Sequence, residues 1–591
     1  MDQIARDQKY GPWNPGLHSP VPSNIRHLST MLNTNNVSTP LDEAEELASF
    51  SGLSINQIVK FRPERLAIHE TLLRVTANIS IPDGSRYEDL GINFRKIVSI
   101  ILEKYVDPRM SEIISIFELL DKSIMIKIKR ELDANLFKQT PTQNTVNQKK
   151  SIARLFRSTP TAPQQDPAIF EPQIATLWQQ KKATATTIEA KAMYDALINV
   201  TNSIRGVHGQ IRGGVDLISS LVNSHICNTY GSLLIGKRIE LIVLDAAKKE
   251  GFRLLPAQKN PIIMNTKGAS ASGKSTLRPY QKKLTKAFGR AWTDFALISP
   301  DIWRKFLLDY DSLGDAYKYA GPLTGDENAI IDQKLDIYMA RKADGGRMSH
   351  LLIDRFRFDS FTPVADENAG STLLTRFGGE VYMFFLVTPP EETVERSWTR
   401  GEEVGRYKSV GDLLHHNVEA YTGMPRLFFT WALKTDKSVH YEFLDNDVPL
   451  GSRPKTIAFG QNGNMTILDI NKTLDIERYK KINLKGKTPN EIYPDSKKMR
   501  ANQNVGFLLT CAKLLLSITF ADQATGKIYG EMKNGEINWT DGDLLAHVIL
   551  NKDTKTALEI LTGSLPISTA REPRVLDSKN ARTLGQWGVD C

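Results

Sequence analysis

Over the first 50 positions the apolar residues follow no period and Pro, Asn, Ser and Thr are frequent, so 1–50 reads as an extended lead-in. From about Ile55 a helical period takes over. Phe94, Ile97, Val98 and Ile101 fall on one face and apolar residues broken by charges continue over 110–136, which predicts a helical domain over 51–137. Polar residues and prolines then dominate, so 138–170 reads as a linker and a domain boundary. The helical signal returns near Ile174, with Leu217, Ile218, Leu221, Val222 and Ile226 on one face, and 171–255 is expected as a helical segment packing on the domain that follows.

Past residue 256 the period changes again. Short apolar runs at 262–264, 295–299, 349–354, 381–387 and 440–444 alternate with amphipathic stretches, among them 329–343 and the helix opened by Pro389-Pro390-Glu391-Glu392. This is the pattern of a parallel α/β sheet, here over 256–449. Beyond it, 456–459 and 465–470 flank Gln461-Asn462-Gly463-Asn464, a hairpin signal. The run 505–521 reads as one buried helix and Asp541 as the start of another, so 450–591 is expected as a small α+β C-terminal extension or separate domain.

Composition narrows the class. The 591 residues are enough for three or four domains, and 41% hydrophobic with 24% charged residues is ordinary for a soluble globular chain. The formal charge of +9 suits a polyanionic nucleotide or nucleotide-sugar substrate. No dense Lys/Arg run interleaved with aromatics occurs, so no nucleic-acid partner is expected. The 505–521 run is short for a bilayer and carries Lys513, which argues against an integral membrane protein. Three scattered cysteines, Cys227, Cys511 and Cys591, fit a reducing compartment and neither a disulfide framework nor a Cys-based zinc site. His69-Glu70 lacks the second His of a zinc-protease helix and reads as structural. The N-terminus has no apolar secretory core, so a cytoplasmic chain is expected; export into another cell by a signal-peptide-independent route leaves no such mark.

The candidate chemistry centres on Gly268-x-x-x-x-Gly273-Lys274-Ser275, a Walker A phosphate-binding loop entered from the 262–264 strand. Backbone N–H groups of Gly268, Ala269, Ser270, Ala271, Ser272 and Gly273 would cradle the phosphates, Lys274 would reach the β/γ-phosphates, and Ser275, followed by Thr276, would meet Mg²⁺. ATP and Mg²⁺ are the implied cofactors. Pro279 is expected to bend or shorten the following helix. Asp301, just past a strand end, is a candidate base, or a cap for a helix at Ile302, and the roles are compatible. Asp354 closes a strand as a Walker B carboxylate does, for Mg²⁺ or substrate, or is a turn residue; Arg355 and Arg357 have no assigned role beyond facing solvent. Arg396 and Arg400 share a helix face, and Gly401 and Gly405 bracket a flexible connection to Arg406. This is either a mobile lid over phosphates or a solvated face balanced by Glu395, Glu402 and Glu403. Glu327 is either in the acceptor pocket or an exposed helix start.

These residues resemble the zeta toxin family of P-loop kinases. The likeness runs through GASASGKST with Lys274, SPDIWRK with Asp301, LLID with Asp354, and ERSWTRGEEVGRYKSVGDLLHH with Arg396, Arg406 and His415-His416, and it covers about a third of the chain, 261–449. It implies that Lys274 and Ser275 bind ATP and Mg²⁺, that Asp301 is the base, and that Arg396 with Arg406 stabilises the transferred phosphoryl, with Arg400 competing for the first arginine role. The implied activity is phosphorylation of a sugar hydroxyl on UDP-N-acetylglucosamine or, as in some zeta-like proteins, of NAD. A toxin or effector role, with an antitoxin or regulatory protein as partner, goes with it. Asp354-Arg355-Phe356 stands where the family often has Glu-Gly-Thr. The expected fold is multidomain α/β: a central P-loop kinase-like parallel sheet flanked by a mainly helical N-terminal region and a small α+β C-terminal region. Two other classes stay open, an NTP-binding regulatory switch and a non-enzymatic interaction protein with a degenerate P-loop.

Overall fold

The structure, a computed structural model, describes residues 10–84, 86, 88–137, 167–355, 374–449, 451–493, 495–565 and 574–588. Phe356, Arg357, Cys591 and most of the expected linker lie outside the described residues. The chain divides into two compact units, one of residues 1–26, 73–98 and 247–591 and the other of 27–72 and 99–246.

The second unit is helical. Its longest helix, Met110–Asn135, buries Ile113, Phe117, Leu120, Ile124, Ile128 and Leu132 along one stripe and packs on Val215–Ile226. Trp178, on the helix Pro167–Thr184, is fully buried and donates to Glu131 Oε1 at 3.0 Å. Helices from both sides of 138–170 therefore share one body, where two were expected. A polar, proline-rich stretch does not by itself divide a core, so the helices on either side of it can pack together. The lead-in is also more ordered than its composition predicts: Leu41–Ser51 is a helix, stopped by Gly52 at φ 72°.

The first unit is built on one ten-stranded sheet. Its strands are β1 (Ile262–Lys267), β2 (Phe295–Ile298), β3 (His350–Asp354), β4 (Glu380–Val387), β5 (Ser438–Asp445), β6 (Lys455–Gln461), β7 (Asn464–Ile467), β8 (Ser517–Ala521), β9 (Ile528–Lys533) and β10 (Glu536–Trp539). The order is β10-β9-β8-β7-β6-β5-β4-β1-β3-β2. The last five, β5 to β2, are mutually parallel, and Thr266 on β1 lies opposite Asp354 on β3. Strand β4 is buried along almost its whole length, which is why it reads as a continuous apolar run.

From β5 the sheet continues without a break. Strand β6 pairs antiparallel with β5, and β7 with β6 through a turn holding Asn462 at φ 48°. The core is shared: Phe507 lies 5.5 Å from Phe443 and 5.7 Å from Phe428, ring centre to ring centre. Residues 450–591 thus extend the central sheet and are not a separate domain. The 505–521 run divides into a helix, Gly506–Leu514, and β8, because Ile518, Thr519 and Phe520 pair better between β7 and β9 than they continue a helix. Among the described residues no helix is long and apolar enough to cross a membrane.

Four helices frame the ends of the parallel strands: α1 (Arg278–Ala287), α2 (Gly325–Asp344), α3 (Pro390–Val404) and α4 (Val410–Ala432). Pro279 does not bend α1. A 3-10 turn, Lys274–Leu277, precedes the helix, and Pro279 falls in the first turn of α1, where its missing N–H had no intrahelical partner.

Candidate functional site

The loop after β1 is held in one shape by its own backbone and by the strands beside it. Ala271 and Gly273 take φ of 61° and 89°. At Gly273 a Cβ would stand 2.4 Å from Asn446 Nδ2, so this position combines a left-handed backbone with a close neighbour and calls for glycine. Asn446 Nδ2 and Thr388 Oγ1 donate to Ser272 O at 2.7 and 3.1 Å, tying the loop to the ends of β5 and β4. Lys274 Nζ folds over the loop and donates to Ala269 O at 2.8 Å and Gly268 O at 3.1 Å. Thr276 Oγ1 is turned inward, onto Gly273 O at 2.6 Å.

Ser275 and Asp354 meet. Ser275 Oγ donates to Asp354 Oδ2 at 2.5 Å, and Arg278 stands 3.9 Å from the same oxygen. A hydroxyl and a carboxylate are hard oxygen donors of the kind Mg²⁺ takes, with phosphate oxygens and water completing its shell. Among the described residues no cluster of three or more His, Cys, Asp or Glu forms, so the pair would hold the ion only with help from a ligand.

Asp301 lies inside the 3-10 turn Pro300–Trp303, whose N-cap is Ser299, so it does not cap that turn. Its Oδ1 accepts from Arg304 Nε at 3.0 Å and its Oδ2 from Arg406 Nη2. Burial by itself would raise its pKa, but Arg406, Arg304 and Arg400 outweigh it and hold the carboxyl far below the usual range. Lys274 is pushed down, by burial first, against the pull of Asp354 and Asp301.

The three lid arginines separate. Arg396 Nη2 donates to the carbonyls of Asn446 and Val448 at 2.8 and 2.9 Å, bracing the chain after β5. Arg400 instead acts by its charge on Asp301, Lys274 and Lys408, and Arg406 binds Asp301. The pair around Asp301 is thus Arg400 with Arg406. The expected flexible bracket is a helix end: Gly401 is inside α3, where a Cβ would strike the Tyr407 ring at 2.3 Å, and Gly405 is the left-handed C-cap. Glu402 and Glu403 are exposed. Glu327 is fully buried in the first turn of α2 and is not an exposed helix start. Arg355 is buried too, paired with Asp332 at 2.7 Å and Asp336 at 2.6 Å on α2, and does not face solvent.

No model of a known protein family matches the chain, and no curated protein matches it. The chemistry of the site therefore rests on its own residues.

Two of these were given no role by the sequence. Lys408 Nζ lies 3.0 Å from Ser270 Oγ and 3.0 Å from His416 Nδ1, and Ser270 Oγ lies 2.8 Å from that nitrogen. The signal was the extended stretch between α3 and α4, where Arg406 and Lys408, two residues apart, point to the same side. The arrangement joins a glycine-bearing loop, a hydroxyl–carboxylate pair, and an Asp held among cations.

Proposed function

We propose that the protein is an ATP-dependent small-molecule kinase of zeta-toxin type on a P-loop kinase fold, a phosphotransferase that passes the γ-phosphoryl to an alcohol group of a nucleotide-linked substrate. The observation that carries this reading is the 2.5 Å hydrogen bond from Ser275 to Asp354 beside a loop whose Lys274 is already folded over its carbonyls. Lys274 and the loop N–H groups hold the β/γ-phosphates. Bound at Ser275 and Asp354, Mg²⁺ supplies charge neutralisation on the phosphate chain. Arg400 and Arg406 stabilise charge on the phosphoryl as it moves. Asp301, its carboxyl held low by Arg406 and Arg304, orients the acceptor by accepting its hydrogen bond and receives the proton late, as a loose phosphoryl transition state allows. Asp354 also meets the acceptor, whereas Glu327, fully buried, supports α2 and does not reach it.

UDP-N-acetylglucosamine, or a sugar nucleotide like it, and NAD are the acceptors to try first. A toxin or effector acting in a cytoplasm, controlled by an antitoxin or regulatory protein, is the biology this chemistry would serve. The test is incubation with Mg–ATP and each acceptor, or a metabolite extract, followed by mass spectrometry. The expected product is heavier by one phosphoryl group and absent with Lys274→Ala. ATP bound without any phosphorylated product would favour a second reading, an NTP-binding switch. One contact favours that reading: Asn446 holds the loop at Ser272 O while its own carbonyl receives Arg396, linking the loop to the point where the sheet extension begins.

A further inference from the structure

Amines from two elements converge on consecutive residues of the phosphate loop. Lys274 rests on the carbonyls of Gly268 and Ala269, and Lys408, from the stretch before α4, reaches Ser270 Oγ at 3.0 Å. Lys408 also donates to His416 Nδ1, an acceptor only while the ring is neutral with its proton on Nε2. Burial first, then the charges of Lys408, Lys274 and His415, push the His416 pKa down to about 2, so the ring stays neutral.

We propose that Lys408 is a chargeable contact for the γ end of the nucleotide: it rests on Ser270 and His416 as an amine only partly protonated near neutral pH, and becomes fully protonated as the phosphate chain binds. The inference rests on the nucleotide reading above and adds a residue and a proton to it. The lone pair of Nζ takes a proton from the buffer acid, and no other bond is made or broken. The resulting ammonium has three N–H groups, two for Ser270 Oγ and His416 Nδ1 and one for a phosphate oxygen.

The groups facing Lys408 explain why the amine waits. Burial is the largest influence; Arg400 from α3 and Arg304 from the turn after β2 also disfavour the ammonium, while Asp301 from that turn and Asp412 from α4 favour it. The balance brings its pKa down to about 7. Asp301, the anion that acts on it most, is already shared by Arg304 and Arg406. A phosphate chain seated between Lys274 and Ser270 reverses the sign of the local field, and the ammonium becomes the stable form.

The experiment is calorimetric titration of the full chain with Mg–AMP-PNP in buffers of different ionisation enthalpy, comparing wild type with Lys408→Met so that protons from the ligand itself cancel. At pH 7 the wild type is expected to take up about half a proton more than the variant, rising toward about one at pH 8 and falling to about a tenth at pH 6. Lys408→Arg, charged throughout, is expected to bind within about threefold of wild type yet show the proton count of Lys408→Met. Equal counts in wild type and Lys408→Met, or a wild-type count in Lys408→Arg, overturn the inference while leaving nucleotide binding intact. Failure of the wild type to bind Mg–AMP-PNP at all overturns the nucleotide reading and this inference with it.

Discussion

The two ends of the parallel strands use similar residues to opposite effect. At the N-terminal ends, Glu380 Oε1 accepts from Tyr382 Oη at 2.6 Å and from Arg582 Nη1 at 2.8 Å, with His440 Nε2 3.4 Å away. The His440 ring stacks on Tyr382 at 4.7 Å, and the Arg582 guanidinium lies over Phe288 at 5.3 Å. This network borders a cavity of about 630 Å³ whose other polar walls are Asn260, Ser438, Gln461 and Asn580. Its one carboxylate and one guanidinium answer each other. At the C-terminal ends, Lys274, Arg304, Arg400 and Arg406 gather around Asp301 and Asp354, with the titratable Lys408 beside them, and the positive groups outnumber the negative. Folding balances the first cluster, whereas the second keeps an excess of positive charge, which the proposed nucleotide would meet. An unbalanced charge at a strand end is therefore what points to a ligand here, and a balanced one does not.

The largest effect that would break this contrast is at Lys274. Lys274→Ala is expected to lower phosphoryl transfer by at least about 10³-fold while circular dichroism and thermal melting stay close to wild type. Retained turnover, or an unfolded variant, would remove the distinction between the ends. Next comes Asp301→Asn, expected to retain nucleotide affinity and lose about 10²–10⁴-fold in kcat, read by steady-state kinetics on the acceptor.

The arginines sharpen the comparison. Arg400→Lys and Arg406→Lys are each expected to lose at least about tenfold in kcat, because a point charge does not replace a planar fork. Arg396→Lys is expected to keep kcat within about threefold and to lower the melting temperature instead, since Arg396 binds backbone carbonyls. A kcat loss at Arg396 as large as at Arg406 would return the first arginine role to it.

The smallest effect belongs to the balanced end. The hydrogen bond from His440 leads the influences that hold Glu380 down, to about 2. Its folded pKa is below its unfolded value near 4.3, so its contribution is present above about pH 4.3 and lost as pH falls toward about 2. Glu380→Gln is expected to cost about 1 kcal/mol at pH 7, to flatten that acid limb in denaturant titrations, and to leave kcat unchanged. An unflattened limb would mean that Arg582 and His440 do not depend on Glu380.

The central sheet was legible in the sequence because strands buried on both faces appear as unbroken apolar runs, as over 381–387. The extension was not. Strands such as β10, with no fully buried residue, carry a weak local signal, and nothing local says which edge they join. In the site, the glycine-bearing loop after an apolar strand and the place of Asp354 at the end of another were legible from local pattern alone. Arg396 and Arg400 were not separable by periodicity, because four residues return a side chain to the same face but one turn further along, about 5–6 Å, and only their different partners tell them apart. Glu327 misled because an acid in a first helical turn is ordinarily exposed. Lys408 reaches a partner 138 positions away, and no local pattern encodes that.

The most direct test is the affinity of Mg–AMP-PNP for wild type, Lys274→Ala and Glu380→Gln, measured by calorimetry under one set of conditions. The account predicts binding by wild type and Glu380→Gln within about twofold of each other, and at least about 10²-fold weaker binding by Lys274→Ala. Equal affinity in all three proteins, or a loss caused by Glu380→Gln rather than Lys274→Ala, would contradict it.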